Sequence, residues 1–291
     1  MQVSEYGSNI YQVEDERLKP RCRNCLLHIP PKYGSSPLGA PLLIGLHGKD
    51  QPPAEFESHS QFSDPTINPG AIAVYPEGVN LRWLGDPAAP PRDEVDDILF
   101  INILVDSIQR DYDIDKLRIG VIGFSNGGGL AALLAADKDS SQRFSSFAIS
   151  SGAFYKDSAL KEPLFSRISP GRIPVPIIEF HGDSDPIIHY EGKTTPDGET
   201  YPLLEYFDIW AKQNQCKMTP KVRKLYEGKV TRYVWTDSEG EEVLVHYRVS
   251  EFGHGWPATR ALGDDKQRLG PTCFNATPLI ADFCRRFARY G

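Results

Sequence analysis

Ser125 sits in Gly123-Phe124-Ser125-Asn126-Gly127, a G-x-S-x-G pentapeptide between an apolar run and a stretch of alanines and leucines. Residues 117–122 predict a short buried strand, and residues 128–136 predict a helix of small side chains that can pack closely. A serine on such a strand–turn–helix corner is a nucleophile elbow, with its hydroxyl thrust clear of the chain. The turn is tight enough to strain the backbone at the serine. Side chains two residues to either side would collide with strand and helix, which is why glycines stand there.

A serine hydroxyl is a weak nucleophile near neutral pH and needs an adjacent base, itself oriented by a third group. For an elbow serine the partners follow along the chain, acid first and histidine second, each after a strand. That order removes His28, His47 and His59 as the base. His246 lies mid-strand in Val245-His246-Tyr247, where a packed or surface role is the default. His181 and His189 come too early, flanking the acid candidates. His254 remains, in the glycine-flanked loop Glu251-Phe252-Gly253-His254-Gly255-Trp256-Pro257 after the last predicted strand. The acid should follow the strand 175–180, where His181-Gly182-Asp183-Ser184-Asp185-Pro186 offers two aspartates. Asp185 is the choice and Asp183 the fallback; one of the two structures the loop by capping its N–H groups. The oxyanion of the reaction needs two backbone donors. One is the N–H of Asn126, and the second comes from Leu46-His47-Gly48-Lys49, from Lys49 or the adjacent Gly48. His47 either braces this loop or is a buried structural histidine.

The elements that must position these groups form an α/β pattern, with apolar runs alternating with amphipathic stretches. Strands are expected at 26–29, 42–46, 71–75, 117–122, 146–150, 175–180, 230–236 and 243–249. Helices are expected to start near Asp93, Ser125, Thr200 and Thr277. The first has Asp93, Glu94, Asp96 and Asp97 in its opening turn, the favoured place for acids. Segments 76–92 and 152–174 are too long for plain connections, and the second is a candidate small cap. The whole, 1–291, reads as a single domain.

Composition narrows the partners. A net charge of −7 with no basic stripe argues against nucleic acid. No stretch approaches the roughly 20 apolar residues a membrane span needs. The N-terminus has neither a basic region nor an apolar core, which places the chain as written in the cytoplasm; a secreted protein trimmed of its leader would read identically. The five cysteines are an odd number, and Cys22-x-x-Cys25 continues into a strand that turns the two thiols to opposite faces. No metal and no cofactor is expected.

Taken together, the motifs resemble the feruloyl esterase and polyhydroxybutyrate depolymerase-like branch of the α/β-hydrolases, from about Arg23 to the C-terminus. Cys25-Leu26-Leu27-His28-Ile29-Pro30-Pro31-Lys32-Tyr33 is similar to that family's first strand, and Leu43-Ile44-Gly45-Leu46-His47-Gly48 to its oxyanion strand. Tyr75-Pro76-Glu77-Gly78 with Trp83, Val95-Asp96-Asp97, the elbow, His181-Gly182-x-x-Asp185 and Gly253-His254-Gly255-Trp256-Pro257 follow in the family's order. The chain departs from it in Lys49, where a small or polar residue is common, and in its odd cysteine count. The resemblance implies an α/β-hydrolase fold, a mostly parallel sheet flanked by helices. It also implies ester hydrolysis by Ser125, Asp185 and His254 on a small-molecule or polymer-linked ester. His47, Gly48, Trp83, Phe124, Tyr190 and Trp256 lie in or beside the motif loops, and the aromatic rings are expected to flank a flat acyl group such as a cinnamoyl ring. A polyester depolymerase, a thioesterase and an acyltransferase are the other chemistries open to the same triad. A non-catalytic binding module is the alternative outside catalysis.

Overall fold

The computed structural model describes residues 7–157, 160, 168–195 and 198–288. The strands in chain order are β1 (Gly7–Glu14), β2 (Cys22–Ile29), β3 (Ala40–Leu46), β4 (Ile72–Pro76), β5 (Ile114–Phe124), β6 (Ser146–Ser150) and β7 (Ile177–Gly182), followed by the two-residue strands β8 (Thr194–Thr195) and β9 (Gly198–Glu199), then β10 (Lys221–Leu225), β11 (Val230–Thr236) and β12 (Glu242–Val249). The α-helices are α1 (Pro53–Ser60), α2 (Asp97–Asp111), α3 (Asn126–Ala136), α4 (Lys138–Arg143), α5 (Leu203–Gln213), α6 (Asp265–Arg268) and α7 (Ala276–Arg286).

Ten strands form one sheet in the order β1-β2-β4-β3-β5-β6-β7-β12-β11-β10. The central pairings from β4 to β12 are parallel, and the pairings on both flanks are antiparallel. This is the α/β-hydrolase fold. The parallel strands are buried on both faces, so they read as apolar runs without alternation. α3 shows the same thing in a helix: all of its residues are buried, and it lies against β5 and β6. Two apolar clusters fill the space on the two sides of the sheet, one around α2, α3 and α5, the other around α1 and α7.

Three differences from the sequence expectation have physical causes. β1 and β10 were not expected; they are the sheet's edges and largely exposed, with only Val13 of β1 fully buried, too little to leave a periodic signature. α1 was not expected either, since its Pro52-Pro53 entry reads as a turn, although proline suits a helix's first position. α2 begins at Asp97 and not near Asp93, because the Asp96 carboxylate accepts the Leu99 N–H at 2.9 Å and caps the helix there. Asp97 is then no exposed first-turn acid. It is buried against the Arg23 guanidinium at 3.1 Å and accepts the Leu84 N–H at 2.7 Å. Within 152–174, residues 158–159 and 161–167, the heart of the candidate cap, lie outside the described residues. Before them, Tyr155 bridges to Thr200 and Lys156 pairs with Glu199 at 2.7 Å.

Candidate active site

β5 ends at Phe124, α3 starts at Asn126, and Ser125 makes the corner alone, with φ 53° and ψ −115°. Three backbone hydrogen bonds hold it there. Its N–H donates to Ser150 O at 2.9 Å, and its carbonyl accepts from Gly129 and Ala153, each at 3.0 Å. The flanking glycines are required by close approach. A Cβ on Gly123 would overlap the Gly127 carbonyl, and one on Gly127 would overlap the carbonyl oxygens of Leu46 and His47 at the exit of β3.

The parallel sheet brings the exits of β5, β7 and β12 to one edge, and with them Ser125, Asp185 and His254. The Ser125 hydroxyl donates to His254 Nε2 at 2.9 Å, and His254 Nδ1–H donates to Asp185 Oδ2 at 2.8 Å. All three are buried, Ser125 at 8% exposure and Asp185 at 2%. Asp185 Oδ1 accepts the N–H groups of Ile187 and Ile188, each at 2.8 Å. Burial alone would raise the Asp185 pKa. The His254 and His181 rings outweigh it through charge and hydrogen bonds, and hold the carboxyl well below its ordinary range. Asp183, the fallback acid, faces the other way: it accepts the Glu251 N–H at 2.8 Å and sits 3.3 Å from Arg248. The histidine loop is fixed from β6, where Ser150 Oγ donates to Gly255 O at 3.0 Å and Ser151 Oγ accepts the Gly255 N–H at 3.2 Å.

At the exit of β3, the Gly48 N–H is already spent on Gln51 Oε1 at 3.0 Å, and the Gln51 amide is held by Glu55 and His59. Of the two loop donors considered, Lys49 is therefore the one left for an oxyanion. The Asn126 N–H lies in the first turn of α3, where helix N–H groups lack intrahelical partners.

The flanking residues are placed differently from expectation. His47 is fully buried. Its Nδ1–H donates to Gly48 O at 2.7 Å and its Nε2 accepts the Gly78 N–H at 3.0 Å, so it braces two loops and has no edge for a substrate. Burial, chiefly, lowers its pKa to about 4. Trp83 is also fully buried: its indole N–H donates to His47 O at 3.0 Å, and its backbone is clasped by the Asn126 side chain at 2.8 and 3.1 Å. Trp256 packs edge-on against Phe56 and Phe62 and donates to Thr277 at 3.0 Å. Tyr190 is 3% exposed and bonded to His246 at 2.8 Å. The expected aromatic walls at Trp83, Tyr190 and Trp256 are thus core and loop anchors, their rings turned inward. Phe124, at 9% exposure, lies over Gly48 with its ring 5.2 Å from that of His254.

Sequence reasoning passed over one group. Glu179, in the apolar run of β7, is fully buried between His181 at 2.9 Å and His246 at 2.7 Å. Its signal was a carboxylate in the middle of Ile177-Ile178-Glu179-Phe180, a place where charge needs a partner. Among the described residues, no cluster of His, Cys, Asp and Glu is arranged to hold a metal ion, and no helix is long and apolar enough to cross a membrane.

Comparison with known proteins adds the following. The chain is 30% identical over 182 residues, 62% of its own length and 50% of the other's, to a putative esterase named NocK from Nocardia uniformis subsp. tsuyamanensis. It is 29% identical over 194 residues, 62% of its length and 34% of the other's, to feruloyl esterase B of Piromyces equi. It thus spans half or less of these relatives. Among solved structures, an acetyl xylan esterase from Aspergillus awamori superposes with a TM-score of 0.61 at 16% identity, covering 85% of this chain and 94% of that one, a likeness of fold. A family model described as serine hydrolase (FSH1) matches residues 46–195, from the exit of β3 through the elbow and the acid loop. That match takes in more than half of the sequence, and the chain belongs to the serine hydrolase (FSH1) family.

Proposed function

We propose that this protein hydrolyses carboxylic esters through an acyl-enzyme on Ser125, with acyl groups of acetyl to hydroxycinnamoyl size. The observation that carries the reading is the unbroken line Ser125 Oγ–His254 Nε2/Nδ1–Asp185 Oδ2, at 2.9 and 2.8 Å, in a buried setting. Ser125 Oγ attacks the ester carbonyl carbon and its proton passes to His254 Nε2, while Asp185 keeps the ring oriented and stabilises the imidazolium. The N–H groups of Asn126 and Lys49 receive the oxyanion. Collapse breaks the ester C–O bond, and His254 gives its proton to the departing alcohol. Water then attacks the acyl-enzyme, its proton going to His254, and the carboxylic acid leaves with Ser125 restored. Relatives named as feruloyl and acetylxylan esterases support this range of acyl groups.

The test is covalent labelling with a fluorophosphonate together with turnover of p-nitrophenyl acetate, methyl ferulate and a matched thioester. Wild-type protein should label once and turn over the oxygen esters, and Ser125→Ala should do neither while keeping its circular dichroism. Near-normal turnover by Ser125→Ala rejects the reading, and preference for the thioester moves it to thioesterase chemistry.

A further inference from the structure

Behind the triad acid lies a second line of titratable groups that the reaction above does not use. Glu179 and His181 stand two residues apart on β7 and so share a face of the strand, and Glu179 pairs across the parallel ladder with His246 of β12. The contacts run on without a gap. Tyr190 Oη meets His246 Nε2 at 2.8 Å, His246 Nδ1 meets Glu179 Oε2 at 2.7 Å, and Glu179 Oε1 meets His181 Nδ1 at 2.9 Å. His181 Nε2 reaches Ile188 O at 2.8 Å and Asp185 Oδ2 at 3.3 Å. Asp185 Oδ2 is the same oxygen that receives His254. Glu179, His181 and His246 are all fully buried.

Donor and acceptor chemistry fixes much of the proton arrangement. A carbonyl oxygen only accepts, so His181 Nε2 carries a hydrogen. Its Nδ1 faces a carboxylate, which accepts as well when ionised, so the ring that satisfies both partners is the doubly protonated one. Burial alone would favour a neutral ring. The Glu179 charge, aided by Asp185, overcomes this and raises the His181 pKa to about 10, while the two histidines hold Glu179 below its ordinary range despite its burial.

We infer that Glu179 and His181 are positioning residues for the triad: Glu179 keeps His181 as an imidazolium, and His181 anchors Asp185 and places a fixed positive charge against the oxygen that His254 uses. The inference rests on the triad reading above. Its consequence is electrostatic as well as geometric. A permanent cation beside Asp185 opposes a second positive charge on His254. Among the described residues, the other titratable groups facing this line include Tyr233 of β11, Tyr206 of α5, Glu191 beside Tyr190, and Arg248 and Asp183, which flank Tyr190 and the acid loop. Arg248 and Asp183 pair with each other, and burial pushes the Tyr206 phenol up from its ordinary value.

The test is the pH profile of kcat/KM for p-nitrophenyl acetate in wild type and in the double variant Glu179→Gln/His181→Gln, which removes the buried pair without stranding a charge. For loss of a near positive and a farther negative charge at an effective dielectric of ~20, the acid limb should move up by about one pH unit. At pH values below the limb this appears as a fall about tenfold greater than the one on the plateau, where only the lost anchoring of Asp185 shows. A merely structural role would lower the whole profile without moving the limb. An unmoved limb in the folded variant overturns the inference. Imidazole 15N spectra of the unmodified enzyme at pH 8.5 give a second readout that needs no variant. One of the seven histidines should remain doubly protonated, and absence of any imidazolium signal overturns the inference equally. Failure of the esterase reading itself would show as wild-type protein without turnover or labelling, whereas the spectra report on His181 regardless.

Discussion

Replacing Asp185 by asparagine changes one oxygen to an amide nitrogen and little else in size, yet the surroundings leave that amide a single orientation. On one side are two donors, the N–H groups of Ile187 and Ile188, each 2.8 Å from Oδ1. Only the amide oxygen satisfies both, which turns the NH2 toward the site of Oδ2, where His254 Nδ1–H and His181 Nε2 also donate. Donor then faces donor. His254 relieves the clash by moving its proton to Nε2, and in that tautomer Nε2 has no lone pair to take the proton of Ser125. The expected loss in kcat is about 10³–10⁴-fold, or about 4–5.5 kcal/mol at 1.36 kcal/mol per tenfold. Stability should fall by only about 1–2 kcal/mol, since the backbone bonds of the acid loop persist. The assay is steady-state hydrolysis of p-nitrophenyl acetate, with chemical denaturation followed by circular dichroism on the same preparations. A folded Asp185→Asn protein within tenfold of wild-type kcat would refute the reasoning and remove Asp185 from the line.

Two further outcomes are expected. Gly127→Ala presses a methyl group into the carbonyls of Leu46 and His47, so denaturation should show a loss of about 1–3 kcal/mol. Because those carbonyls lead into the Lys49 loop, kcat should fall at least about tenfold; an unchanged kcat would show that the loop can shift without consequence. His47 has its folded-state pKa lowered to about 4 from an ordinary 6.5, so the native state binds fewer protons than the unfolded chain between those values. Its contribution to stability is therefore present above pH 6.5 and lost as pH falls through 4. Between pH 7 and pH 4.5, wild-type protein should lose about 2–3 kcal/mol more than His47→Gln does, and parallel losses in the two proteins would contradict the burial argument.

What could be read from the sequence was what local chemistry dictates. The G-x-S-x-G corner carries its own steric reason, and the order of strands limits which histidine and which aspartate can reach it. The parallel core strands announce themselves as apolar runs. Side-chain direction was harder. Trp83, Tyr190 and Trp256 lie beside the motif loops, but adjacency in sequence does not say whether a ring points into the cleft or back into the core, and all three point back. The Glu179 line was hidden for a related reason. It is assembled from neighbouring strands, β7 and β12, whose pairing is not written in either segment. The edge strands β1 and β10 are largely exposed, with only Val13 of β1 fully buried, and so left too little pattern to read.

The corner at Ser125 has a last consequence. Its backbone stands at positive φ, in a conformation that would suit a residue without a Cβ far better, and such a setting costs on the order of 1–3 kcal/mol. The rest of the fold, through the bonds with Ser150, Gly129 and Ala153, offsets that cost. Selection for a more robust molecule and selection for a faster one therefore pull in opposite directions at this one position. Drift toward greater rigidity would meet a conflict here, at the hydroxyl proposed as the nucleophile.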